Sequence, residues 1–319
     1  MAPSTAEVPP DVLAAAQARA SARAERDWVT ADRLRGEIEA QGWKVVDSGT
    51  AFRLEPAHPA DVAVAGAIRY GRSEAVPTRL GDAPIGIATA IVVAREDSAG
   101  ARRAVAALLA HAEPGVDVVL VIDGLDDDAA PQVDEAAVRE GRVEIIRTSV
   151  PLGQGAALNV GLRRSRAPVI VVVDASIEPT GDVVSPLVAA LDAPGVAVAG
   201  PFGLRSDDLR HFEESTADPA AAIEGYVMAF RRADAIERGP FDEGFRFYRN
   251  LDVWWSLVLR DEGEGRPSRE ARVVGDLPLL RHEHLAWSAT RAAERAKLSK
   301  RNFYRVLDRF RERSDLAVG

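Results

Sequence analysis

The stretch Val169–Asp182, VIVVVDASIEPTGD, constrains this chain more than any other. Five β-branched residues, Val169-Ile170-Val171-Val172-Val173, run directly into Asp174. An apolar run this short reads as a strand buried on both faces, in a parallel sheet covered by helices. Open α/β sheets bind ligands at the carboxyl ends of their strands. Asp174 is therefore either a site residue or the cap of the turn that follows.

The flanking chain repeats the pattern. Strands are expected at Ile85–Ala94, Val116–Ile122, Val143–Thr148 and Val196–Gly200, with helices at Gly100–His111, Gln132–Arg139, Gly155–Arg166 and Ser185–Leu191. Alternation of this kind predicts an α/β fold, a mostly parallel sheet with helices on both faces. Acidic groups recur at the strand ends: Glu96 and Asp97, Asp123, Asp174. Carboxylates along one rim suit hydrogen bonds to a ribose and base, or a divalent cation, Mn2+ or Mg2+, that neutralises a diphosphate.

The 319 residues suffice for one large domain and a small one, and 47% hydrophobic content supports a packed core. No apolar run reaches membrane-spanning length, and the N-terminus lacks a basic region followed by an apolar one. With no cysteine there are no disulfides or thiolate metal sites. These features fit a cytoplasmic protein. A net charge of −9 argues against nucleic acid as a bulk partner.

Residues 1–59 read as a small helical segment with a β-hairpin, 60–84 as a linker with a short helix around Asp61–Ile68, and 85–319 as the main domain. In the first segment Asp11 is the expected N-cap. Trp28, Ala31, Leu34 and Ile38 share a helix face, Asp27 or Thr30 divides the helical stretch, and the arginines form a solvated face. Trp43–Asp47 and Ala51–Leu54 make the hairpin around Ser48-Gly49-Thr50.

Several motifs, in order, resemble the family 2 glycosyltransferases of the GT-A fold. They are IATAIVVARED, VDVVLVIDGLDDD with Asp123 and Gly124 at its "DDGS" ending, LGQGAALNVGLRRSRAPVIVVVDAS, EGYVMAFRRADAIERGPFDEGF, Asn250-Leu251-Asp252 and His284-Leu285-Ala286-Trp287-Ser288. The resemblance covers about residues 85–310 and implies a Rossmann-like GT-A domain that uses a nucleoside-diphosphate sugar, a divalent cation and an acceptor hydroxyl, with inversion. It places the donor against Ala94, Glu96, Asp123, Gly153, Gly155, Asn159, Asp174 and Ser176. Asp252, at the second position of the family's "E-D" pair, becomes the catalytic base, and Leu251 stands at the first. The metal-binding "D-x-D" is Asp174-Ala175-Ser176 and lacks its second carboxylate; Glu178 or Asp182 is the substitute, with His284 as a further ligand.

The aromatic and polar run Phe247-Tyr248-Arg249-Asn250 suits an acceptor loop, so Tyr248 and Asn250 are acceptor candidates. Trp254 is either a sugar-stacking ring or core. Asp252 doubles as a candidate N-cap of the apolar helix after it. His282 and His284 alternate on an expected strand and would share a face. Lys300 and Arg301 form a basic pair at the start of an amphipathic final helix. Residues 22–54 resemble the C-terminal segment of cysteinyl-tRNA synthetases, without that enzyme's catalytic signatures. This implies an RNA-contacting module, a packing appendage or a homodimerisation arm. The rival to an active transferase is a catalytically inactive GT-A-fold binding or scaffold protein.

Overall fold

Proline at the first position of a helix forgoes an N–H that has no partner there. α1 (Pro10–Ala24) starts that way, with Asp11 inside its first turn rather than capping it. Asp27 accepts from Thr30 N at 3.1 Å and caps α2 (Trp28–Ala40). β1 (Trp43–Ser48) and β2 (Ala51–Pro56) pair antiparallel. The computed structural model describes residues 8–49, 51–263 and 265–319, and the chain divides between Val62 and Ala63 into two units.

The first unit has its own core of Val12, Ala16, Ile38 and Trp43. Ala31 and Leu34 are buried as their spacing requires. Trp28 is 55% exposed, with the Arg23 guanidinium 5.7 Å from its ring, so it does not belong to the buried face. The arginines are not simply solvated. Arg19 is 4% exposed and donates to both oxygens of Asp47, at 2.9 and 3.0 Å, tying α1 to β1. Arg33, Arg35, Arg53 and Lys44 each meet a glutamate of the same unit.

The division falls within β3 (Val62–Val64); after it come β4 (Ala67–Tyr70), β5 (Ala88–Ala94), α3 (Ser98–His111), β6 (Val116–Ile122), α4 (Glu135–Arg139), β7 (Val143–Thr148), α5 (Gln154–Arg164) and β8 (Val169–Val173). There follow β9 (Ile177–Pro179), α6 (Val184–Ala190), β10 (Val196–Gly200), β11 (Gly203–Arg205), β12 (Glu213–Ser215), β13 (Ala222–Ile223), β14 (Val227–Arg231), α7 (Arg232–Arg238) and α8 (Leu251–Arg260). The last elements are β15 (Glu270–Val273), β16 (Leu279–Arg281), α9 (Leu285–Ala289) and α10 (Ala292–Phe310). None of the helices described is long and apolar enough to cross a membrane.

Among the described residues nine strands form the main sheet, in the order β15-β10-β14-β8-β5-β6-β7-β4-β3. The pairs from β4 to β8 are parallel, while β14 runs antiparallel to both β8 and β10. The sheet is the expected mostly parallel one, with a reversed strand inserted. All five residues of β8 are buried. Ile170 and Val172 face one core with α5, α8 and α10, and Val169, Val171 and Val173 face the other with α3 and α6. Successive strands move from β5 outward to β6 and β7, and β8 then pairs on the other side of β5. That reversal is a topological switch point, where the loops part and leave a crevice at the carboxyl ends.

The stretch expected to be a linker with a helix at 61–68 carries β3 and β4 instead, and β4 extends the main sheet. Val76 is fully buried, and its carbonyl accepts from Arg163 Nε at 2.7 Å. These residues are part of the larger unit.

Candidate active site

Asp174 and Glu96 leave β8 and β5 on the two sides of the switch point. β14 pairs with β8 so that Asp174 N donates to Tyr226 O at 2.9 Å. β16 then pairs with β9, and His282 N donates to Ser176 O at 2.8 Å. This long-range pairing brings the 279–284 segment to the end of β8. His284 Nε2 lies 3.4 Å from Asp174 Oδ2, and Ser176 Oγ donates to Asp174 Oδ1 at 2.5 Å. Burial opposes the charge on Asp174, but the hydrogen bond and charge of His284, with Ser176, hold its carboxyl below the ordinary range. Burial likewise opposes the charge on His284, and the Asp174 bond raises it. Tyr248 packs on the imidazole with centroids 4.2 Å apart.

A cavity of about 510 Å³ opens beside this pair. Asp174, Glu224, Tyr226, Tyr248, Arg249, Asn250, Asp252, Arg281, His284 and Trp287 line it. A smaller hollow of about 40 Å³ shares Asp174, Tyr248 and His284 and adds Arg95, Glu96, Asp97 and Ser176. Asp252 is not the cap of α8: that position belongs to Asn250, in the left-handed region at φ 66°. Asp252 instead sits in the first turn, where the helix N-terminus favours a carboxylate. Gly225 N donates to its Oδ2 and Val253 N to its Oδ1, both at 2.9 Å. Burial raises its carboxyl, against those two N–H groups and the charge of Arg249.

Other sequence candidates lie elsewhere. Ala94 is buried inside the sheet, and its carbonyl accepts from Asp123 N at 2.9 Å. Asp123 is 1% exposed and holds Thr148, Leu152 N and Gly153 N rather than lining the cavity. Asn159 donates to Phe241 O and Glu243 and accepts from Phe241 N, each at 2.9 Å. Gly153, at φ +100°, and Gly155 let the 242–246 backbone approach so closely that a Cβ would stand 2.8 Å from Arg246 Cα or 2.5 Å from Asp242 O. Asn159 and the two glycines place the loop that bears Tyr248, Asp123 ties down the 152–153 backbone, and none of these, nor Ala94, lines either cavity.

Trp254 is core, 7% exposed, against Phe245 and Trp255. Glu178 turns to His282, at 2.7 Å, and Arg103, at 3.5 Å. The two histidines therefore face different carboxylates, His282 following the end of its strand and His284 capping α9. Asp182 accepts from Val184 N and Ser185 N at the start of α6. Lys300 and Arg301 are exposed and line neither cavity.

Glu224, Tyr226 and Arg281 are cavity residues that sequence reasoning does not single out. Glu224 carries one signal, a lone acid inside the apolar run AAAIEGYVMAF. Arg281 lies over the Tyr226 ring at 3.9 Å and donates to its hydroxyl at 2.8 Å; Arg249 lies over Trp287 at 5.1 Å. Among the described residues neither arginine makes an ion pair, so both positive charges are free to meet an anion.

The profile of Glycosyl transferase family 2 matches residues 89–249, half of the chain, and ends before Asp252 and His284. A cysteine--tRNA ligase of Opitutus terrae is 48% identical over 52 residues, 16% of this chain and 11% of that enzyme. Cysteine--tRNA ligase 1 of Burkholderia lata is 46% identical over 52 residues, with the same coverage. The chain thus spans about a tenth of the curated relatives it matches. Among solved structures, GalNAc-T7 with UDP, GalNAc and Mn2+ aligns with a TM-score of 0.54 and 14% identity, over 70% of this chain and 48% of its own. The mannosyltransferase PcManGT from Pyrobaculum calidifontis, in complex with GDP-Man and Mn2+, aligns with a TM-score of 0.50 and 17% identity, over 76% of this chain and 71% of its own. At these identities the likeness is one of fold.

Proposed function

The chain belongs to glycosyl transferase family 2, and on that premise we propose that it moves a sugar from a nucleoside-diphosphate sugar to an acceptor hydroxyl, with inversion and with Mn2+ or Mg2+. The observation that carries this reading is one cavity at the switch point lined by the Asp174–His284 pair and by Asp252.

Inversion in a single displacement needs one base, and no side chain need bond to the sugar. Asp252 is that base: it faces the cavity with both oxygens steadied by backbone N–H groups. Arg249 and Arg281 supply positive charge for the leaving diphosphate, in a recess where water screens it less than in bulk. Tyr248 and Asn250 border the acceptor side.

The donor set fits a divalent cation held by two protein groups. Asp174 Oδ2 and His284 Nε2 face each other, and Mg2+ sites of this kind leave the other positions to phosphate oxygens and water. Ser176 and Glu178 are not part of it, and no group of three or more His, Asp or Glu side chains suited to a metal converges among the described residues. When bound, the cation would neutralise charge on the leaving diphosphate.

The test is thermal stability against a panel of nucleoside diphosphates and nucleotide sugars, with and without Mn2+. A selective ligand at a hundredfold excess over its dissociation constant adds about 2.7 kcal/mol. A cation-dependent shift for one base, lost in Asp174→Ala, is the expected result; no shift with any nucleotide would sink the reading. A second reading, a GT-A-fold binding protein without transfer activity, is favoured by Ser176 standing where an acid is expected and by the engagement of Glu178. Nucleotide binding without any turnover of the bound sugar would decide for it.

A further inference from the structure

A helix packs its core through a stripe of residues three or four apart, and a polar side chain in that stripe is costly unless it finds partners. α10 buries Asn302, Val306 and Phe310 at such a spacing, and Asn302 is fully buried. It is the polar member of the three. Its Nδ2 donates to Phe247 O at 2.7 Å and to Arg249 O at 2.8 Å. Both partners are carbonyl oxygens, so the atom that meets them has to be the amide nitrogen. Its Oδ1 has no hydrogen-bond partner among the described residues. A buried acceptor is thus left unpaired so that one amide nitrogen can serve two carbonyls.

Those two carbonyls flank Tyr248. The neighbouring carbonyls are each held as well. From the start of α5, Gly155 N donates to Phe245 O at 3.0 Å and Gln154 N to Arg246 O at 3.1 Å. From α8, Leu251 N donates to Tyr248 O at 3.2 Å and Trp254 N to Asn250 O at 3.1 Å. α10 reaches the loop at two further points. Ser299 O accepts from Asn250 Nδ2 at 3.2 Å, and Arg305 donates to Asp242 Oδ2 at 3.0 Å. Held in this way, the loop lays the Tyr248 ring on His284 and the Arg249 guanidinium over Trp287, and all four line the cavity.

We propose that Asn302 is a positioning residue for the transfer, which sets Tyr248 against His284 and Arg249 over the cavity by holding the carbonyls on both sides of Tyr248. Asn302 lines neither cavity itself. Its use in catalysis rests on the transferase reading; its hold on the loop does not. A leucine would fill the same place in the stripe but offer no donor, and the two carbonyls would have to turn elsewhere.

Solution NMR of the full chain reads the hold without any turnover. The unaltered protein should show an NOE between the Tyr248 ring and the His284 imidazole, and Asn302→Leu should lose it. Asn302→Ala gives the same reading if the leucine is not accommodated. Val306→Ala, one turn further along the stripe, removes packing but no donor, so it should lower the melting temperature and keep the NOE. In transfer assays Asn302→Leu should raise the acceptor KM about tenfold and cut kcat/KM by about 10²-fold, as expected when a positioned group moves by about an ångström. A merely structural role reduces the amount of folded protein, which scales kcat and leaves KM alone. An NOE that survives in a folded Asn302 variant, or an acceptor KM that does not move, overturns the proposal. If neither variant folds, hydrogen exchange in the unaltered protein decides, and Asn302 side-chain amide protons that exchange as fast as those of a free asparagine overturn it. Loss of the NOE in a protein that turns over no nucleotide sugar would uphold the hold on the loop and refute the transferase reading alone.

Discussion

At the scale of single residues, three carboxylates that the sequence makes alike candidates have distinct surroundings. Asp252 has two backbone donors and an open side toward the cavity, so Asp252→Asn should preserve packing and nucleotide binding while removing the base. The expected loss of transfer is about 10²–10⁴-fold, the usual worth of general-base catalysis. An unchanged nucleotide-dependent melting shift would show that the donor site survives. Asp174 and Glu178 should separate just as clearly. Glu178 is engaged by His282 and Arg103, so Glu178→Gln should keep the cation-dependent shift that Asp174→Ala abolishes. Loss of the shift in both would restore Glu178 as a ligand.

At the scale of elements, the glycine-rich start of α5 is a docking surface for a loop. Asn159 satisfies both the N–H and the C=O of Phe241 and also reaches Glu243. Asn159→Ala leaves those backbone groups buried without partners, at a cost of about 2–3 kcal/mol. Gly155→Ala forces the Asp242 carbonyl away, at a cost of about 1–3 kcal/mol. Both should lower the melting temperature and weaken acceptor use through the displaced Tyr248 and Asn250, which acceptor KM would report. A drop in stability with unaltered acceptor KM would mean that the loop holds its place without α5.

This division explains what the sequence reveals. The strand–helix alternation is local and periodic, so the core strands and the position of Asp174 can be read from neighbours in the chain. The same holds for Asp252, Tyr248 and Asn250 through their motifs. β3 and β4 span three and four residues, mostly exposed, and carry too little apolar pattern to be told from a linker. The contact of His284 with Asp174 depends on β16 pairing with β9 across about a hundred residues, which no local period reports. Asn159 and the two glycines fit their motif but serve it through packing, and spacing alone does not separate a residue that touches a ligand from one that holds the residue that does. Trp254 differs from a stacking ring only in which face of α8 it occupies.

At the scale of the whole molecule, two units with separate cores should respond to different variables. Every cavity residue belongs to the second unit, so a nucleotide should raise the midpoint of that unit's transition. The first unit answers to acid through Asp47. The hydrogen bond from Arg19, and then the charges of Arg19 and Arg23, hold its carboxyl below the ordinary range, against partial burial. A carboxyl depressed in the folded state contributes stability that is fully present above its unfolded value, about 4, and is lost as pH falls through the lower folded value. Acidification below about pH 4 should therefore destabilise the first unit. Asp47→Asn should remove that acid sensitivity and lower stability at neutral pH by about 2 kcal/mol, because Arg19 then stays buried without its charged partner. Calorimetry with and without nucleotide reads both effects. The variant should shift a nucleotide-insensitive transition and leave the nucleotide-sensitive one in place. If Asp47→Asn moves the nucleotide-sensitive transition by the same amount, the two units unfold as one, and the first is a structural part of the transferase rather than a separately stable appendage.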